Sequence, residues 1–313
     1  MSELTINGVR IDDTFAEAFD MKATRLIVTA DDAIWAMQAS AALTGYGTSV
    51  IACGIEIDVE AELSPAQTPD GRVGLAVLAF AASGKELLKQ IPRRTGQCVL
   101  TCPTTAIYDG TETLDGITLS DKRIPLGKTL RYFGDGHQIS KVIDGVRFWR
   151  IPVMDGEFVC QHDVGQFAGI GGGNFMLCAD SIAVATVACR AAIDAIRSVP
   201  GVITPFPGGA TRSGSKVGSK YTALFASTNE AYCPTLRHLS VSDVDAETQV
   251  ILEVVIDGVD DASVATAMRQ GIFAAAEAGG NQGLHRITAG NYGGKLGRHH
   301  FALHQLLATG TAS

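Results

Sequence analysis

One plan occurs in both halves of this chain, and it limits the folds open to it. In the first half Leu26-Ile-Val-Thr-Ala-Asp31 leads into apolar residues at helical spacing from Ala33 to Leu43, then a strand-like Ser49-Val-Ile-Ala-Cys53. In the second, Phe175-Met-Leu-Cys-Ala-Asp180 leads into a longer helical pattern, Ile182 to Arg197, a turn at Pro200-Gly201 and a short Val202-Ile203. Asp31 and Asp180 each fall where a short carboxylate can accept from the free amides of a helix N-terminus. The later parts also correspond. Val73 to Phe80 reads as a buried strand, followed by a helix around Lys85 to Gln90 and a strand over Cys98-Val-Leu-Thr-Cys102. Its counterpart is Gln249 to Ile256, a helix from Asp261 to Glu277, and Leu284 to Ala289.

Strand–helix–strand twice in each half predicts an α+β fold. It has two similar ferredoxin-like lobes, each an antiparallel sheet with helices on one face. A doubly wound parallel sheet is the alternative, but strands and helices do not alternate steadily and the phosphate-binding turn is missing. Residues 105–160 break the pattern. Asp-Gly pairs at Asp109, Asp115, Asp135, Asp144 and Asp155 punctuate short strand-like runs such as Val146 to Ile151, which reads as hairpin insertions. The lobe boundary is set at Asp155, giving an N-terminal lobe over 1–155 and a C-terminal lobe over 156–313.

A chain of 313 residues is comfortable for two domains. A net charge of −8 and the lack of any basic run argue against a nucleic-acid partner. The seven cysteines are an odd number, scattered among apolar residues, which points to reduced core thiols and a cytoplasmic setting. The start, MSELTINGVRIDDTF, has no apolar core of a signal peptide, and no apolar stretch is long enough to span a membrane.

From Thr204 to Thr235 the chain is rich in Gly, Ser, Thr, Asn and Lys and shows little period, yet carries Phe206, Tyr221, Phe225 and Tyr232. We read it as an ordered binding segment with amides, hydroxyls and the cations of Lys216 and Lys220 facing a polar ligand. A surface loop with its own small core, its lysines simply solvated, is the alternative. Ala168-Gly-Ile-Gly-Gly-Gly-Asn-Phe175 has the wrong spacing for a dinucleotide turn and precedes its strand; a backbone turn presenting Asn174 fits better. Gly209 to Lys216 is not a P-loop, because the order is Gly-Ser-Lys. His300 and His304 have metal-binding spacing but no completing Glu, so a structural role is favoured and no metal is expected. Cys102 and Cys233 each precede a proline and are read as packing thiols.

Glu253 is the sharpest anomaly, a single acid within Val250-Ile-Leu-Glu-Val-Val-Ile256. It either points to water or, if buried, has a carboxyl raised toward neutrality, which suits a general acid or base.

Many of these segments resemble one family, the formylmethanofuran–tetrahydromethanopterin formyltransferases. The resemblance runs through Asp13-Thr-Phe-Ala-Glu-Ala-Phe19, Thr44 to Val50, Gly172-Gly-Asn-Phe175, Pro205 to Gly209, Ser215 to Lys220, Ala226-Ser-Thr-Asn229, Ala231 to Thr235 and Ala289 to Gly297. It implies two α+β lobes, a homotetramer with clefts at subunit contacts, and formyl transfer between N5 of tetrahydromethanopterin and the amine of a methanofuran-type carrier. Both carriers are substrates, with no covalently held cofactor. The family's catalytic Glu falls on Glu253. Ser215, Lys216, Lys220, Ser227, Asn229, Tyr232 and Asn174 are the expected substrate-binding residues, with Asn229, Ser227 and Lys216 candidates for oxyanion donors. The mild acidity resembles the methylotrophic-bacterial branch, which implies hydrolase partner subunits and flux from formaldehyde toward formate. The competing class is a non-catalytic pterin-binding or scaffold subunit.

Overall fold

The structure is a computed structural model, described over residues 4–308. The chain forms two compact units, residues 21–169 and residues 4–20 with 170–308. The cut expected at Asp155 falls inside the first unit, in the turn of a hairpin whose strands, Val146–Val153 and Gly156–Gln161, pair along their length.

The first unit begins on β1 (Phe15–Thr29), followed by α1 (Ala33–Thr44), β2 (Ile55–Leu63), β3 (Gly74–Ala81), α2 (Gly84–Arg94) and β4 (Ala106–Asp109). The sheet runs β2-β3-β1-β4, every neighbour antiparallel. This is the ferredoxin-like order, and a meander over residues 139–161 extends it beyond β4. Leu26, Val28, Ile57, Val77 and Ala79 alternate onto one face and meet Leu43, Leu87 and Ile91 from the helices.

Two expected strands are absent here. Val50–Cys53 is a short helix stopped by Gly54 at φ +74°, and the true second strand is the acid-rich Ile-Glu-Ile-Asp-Val-Glu-Ala-Glu-Leu that follows. Thr95–Val99 continues α2 as a π-helical turn, so the Cys98–Cys102 run packs as part of that helical end.

The second unit repeats the plan with β5 (Phe167–Ala179), α3 (Ile182–Ile196), β6 (Val202–Ile203), β7 (Val250–Gly258), α4 (Asp261–Gly279) and β8 (Leu284–Thr288). Its sheet runs β8-β5-β7-β6, all antiparallel, the same order again. Phe175, Leu177, Val254 and Ile256 face Ala185, Ala188, Ala192, Met268 and Ile272 of the helices. The helix caps lie one residue beyond Asp31 and Asp180: Asp32 accepts from the Trp35 amide and Ser181 from that of Val184.

The glycine run is part of β5 itself, not a turn ahead of it. Its register with β7 shifts between Ile170 and Gly173, where Gly172 takes φ +93°. A Cβ on Gly173 would come within 2.5 Å of Val264, so the glycine lets α4 approach the strand.

Candidate active site

The open face of the second sheet carries the unusual polar residues. Val254 points into the helical core, so its neighbours Glu253 and Val255 point the other way. On this face Glu253 pairs with Met176 of β5 and with Thr211, while Met176 pairs on its other side with Thr288. The result is a row across the sheet, Thr211, Glu253, Met176, Thr288. Asn174, paired with Val255, lies on the same face one step along.

Glu253 is half-buried by surface area, with an apolar strand around it. Burial acts on its carboxyl, with no opposing hydrogen bond or ion pair among the described residues, and pushes it up to about 7. A group poised there can both take and give a proton near neutral pH.

The residues expected to bind substrate fall into two groups. Asn174 shares the sheet face with Glu253, but its amide serves the backbone: Oδ1 accepts from Gly290 at 2.6 Å and Nδ2 donates to the carbonyls of Gly172 and Gly290. Tyr232 reaches the same row at Thr288 and donates to Asp243 at 3.2 Å. Burial and the Asp243 charge push its phenol up to about 12, so it remains a donor.

The second group lies on a ribbon that is a sheet of its own, Ser215–Val217 against Ala226–Thr228. Lys216 pairs across it with Ser227, and Ser215 with Thr228. Lys216 is held in an ion pair with Glu230, the Ser227 hydroxyl donates to the Gly218 carbonyl at 2.7 Å, and the backbone N–H of Asn229 donates to the Gly214 carbonyl at 2.9 Å. Ser215 and Lys220 are exposed.

Among the described residues no cluster of three or more His, Cys, Asp or Glu could hold a metal. His300 and His304 instead meet the backbone carbonyls of Gly297 and Ile11.

Sequence reasoning gave no role to Glu17 or Tyr292. Glu17 carries the signal that marked Glu253, a lone acid in an apolar strand, Phe15-Ala-Glu-Ala-Phe19. It is buried, and four backbone amides between Tyr292 and Gly297 bond to it.

Two family models cover almost the whole chain. Residues 4–153 match formylmethanofuran–tetrahydromethanopterin formyltransferase, and residues 156–306 match the proximal lobe of the same family. A formyltransferase of that name from Rhodopirellula baltica is 63% identical over 99% of this chain and 95% of its own length. The chain belongs to the formylmethanofuran–tetrahydromethanopterin formyltransferase family. Solved structures of the family share its fold. The matching chain in the formyltransferase/hydrolase complex of Methylorubrum extorquens, crystallised with methylofuran, has a TM-score of 0.92 at 47% identity, covering 98% of this chain and 99% of that one. The formyltransferase of Methanosarcina barkeri has a TM-score of 0.89 at 42% identity, covering 97% and 100%. The two ferredoxin-like units are thus the family's architecture.

Proposed function

We propose that this formyltransferase moves a formyl group between N5 of tetrahydromethanopterin and the primary amine of a methanofuran-type carrier. The observation that carries the mechanism is Glu253, a carboxyl on the open sheet face with no partner among the described residues and pushed up to about 7 by burial. With both carriers bound, proximity supplies much of the rate. The amine nitrogen attacks the formyl carbon, forming the new C–N bond and a tetrahedral intermediate. The carboxylate of Glu253 takes the proton that the amine releases. It returns that proton to N5 as the old C–N bond breaks, so the enzyme ends unchanged.

The ribbon with Ser215, Lys216, Ser227 and Asn229, together with exposed Lys220, supplies polar contacts to the carriers. Tyr232 and Asn174 add polar groups at the sheet face itself. Val217, Tyr221, Leu224, Phe225, Leu239 and Val241 are exposed in the segment that contains the ribbon. That much apolar surface favours a covering subunit contact, which fits the homotetramer that the family resemblance implies. The names of relatives in formyltransferase/hydrolase complexes support hydrolase subunits as further partners; a cytoplasmic setting and flux from formaldehyde toward formate complete the proposed reading.

A spectrophotometric assay of transfer from formyl-tetrahydromethanopterin to a methanofuran analogue tests this. Wild type turns over, and Glu253→Gln loses about 10²- to 10⁴-fold in kcat while still folding and binding pterin. Transfer unaffected by the substitution removes Glu253 from the chemistry. No transfer by either protein, with hydrolase subunits added, leaves the scaffold reading.

A further inference from the structure

Glu17 is 1% exposed and ties down one loop. Oε2 accepts from the amides of Tyr292 at 2.7 Å and Gly294 at 2.8 Å, and Oε1 from Leu296 and Gly297, both at 2.6 Å. Burial alone would push this carboxyl up; the four amides outweigh it and bring it down to about 2, so it stays ionised. The near end of the loop is held as firmly. Asn174 grips both polar atoms of the Gly290 backbone, and the Glu17 amide donates to the Gly290 carbonyl at 3.2 Å.

Tyr292 lies between these two anchors. Its ring packs on Phe19 with centroids 5.9 Å apart. Asn174 pairs with Val255, and Glu253 sits two positions along β7 on the same face. The clamp therefore fixes the start of the loop beside Asn174 of β5, the strand that pairs with β7 at Glu253 and Val255. The Tyr292 phenol is raised first by burial and then by the charges of Glu253 and Glu17, so it keeps its proton. At 37% exposure, it remains within reach of a ligand.

We propose that the Tyr292 hydroxyl is a catalytic hydrogen-bond donor to the formyl oxygen, aimed by Glu17 as a positioning residue. As the amine adds, that oxygen gains negative charge, and the hydroxyl bonds to it more strongly in the tetrahedral intermediate than in the formyl substrate. No bond to Tyr292 forms, and its proton stays on the phenol. The proposal rests on the formyl-transfer reading above.

The test combines kinetics with an NMR titration that needs no turnover. In formyl transfer, Tyr292→Phe lowers kcat about 10²-fold with KM nearly unchanged. Glu17→Gln also lowers kcat, and the double variant is no slower than the slower single one, because Glu17 acts through Tyr292. Losses that multiply, or a Tyr292→Phe enzyme with wild-type kcat, overturn the proposal. In protein labelled with ¹³C at tyrosine Cζ, the Tyr292 signal is identified by its loss in Tyr292→Phe. Its phenol titrates at lower pH in Glu253→Gln than in wild type; an unmoved titration shows that the two groups do not face each other and also overturns it. Wild type inactive in transfer with the NMR coupling intact removes the formyl-transfer reading and this catalytic role with it, leaving only the placement of Tyr292.

Discussion

Glu17 and Glu253 are each flanked by apolar residues along their strands, and their surroundings give them opposite chemistry. Four amides keep Glu17 ionised, whereas Glu253 has only burial acting on it and sits near neutrality. The folded-state pKa of Glu17 lies below its usual 4.5, so its contribution to stability is full above that value and fades as pH falls toward 2. Glu17→Ala removes the acceptor of four backbone donors, one buried and three part-buried, and destabilises the protein by about 3 kcal/mol at neutral pH, measured by urea unfolding. In acid the gap between the two proteins narrows. Glu253 was legible as an anomaly because the run Val250–Ile256 around it is otherwise wholly apolar. The role of Glu17 was not, since its partners are backbone amides far along the chain, and backbone donors leave no mark in side-chain pattern. Asn174 shows the same limit: its position was noticed, but its bonds to the Gly290 backbone were not.

At the scale of elements, close approach explains the glycines that imitate a nucleotide motif. Gly173→Ala places a Cβ 2.5 Å from Val264, and the clash with a branched side chain costs about 1–3 kcal/mol. That outweighs any gain in strand propensity, and thermal unfolding reads it directly. Phe175→Ala, at a fully buried site against α4, costs about 3–5 kcal/mol by the same measurement. The elements recovered from sequence were those with a continuous apolar run or a long helical period, such as β5, β7, α3 and α4. β2 was missed because Glu56, Asp58, Glu60 and Glu62 alternate through it, and the apolar residues just before it were the more obvious strand. The Cys98–Cys102 run has strand composition, but it begins in the π-helical turn that continues α2 and ends in turns instead of a strand. Local propensity yielded there to tertiary context.

Across the whole molecule, the doubled strand order follows from the internal repeat, which is why the fold class was readable from one sequence. The division into compact units was less so. β1 and β5 each run from one unit into the other, and a boundary inside a continuous strand leaves no linker to detect. The segment after β6 leaves Phe225 85% exposed beside Tyr221 and Leu224. Analytical ultracentrifugation is expected to give a mass well above the 32.8 kDa monomer, and Phe225→Asp to shift it toward smaller species. The central claim is that Glu253 carries the proton during transfer, and the pH dependence of kcat tests it most directly. For wild type, kcat rises as the carboxyl ionises and is half-maximal near pH 7, while Glu253→Gln is slower by at least about 10²-fold and lacks that limb. The same limb persisting in Glu253→Gln would contradict the account.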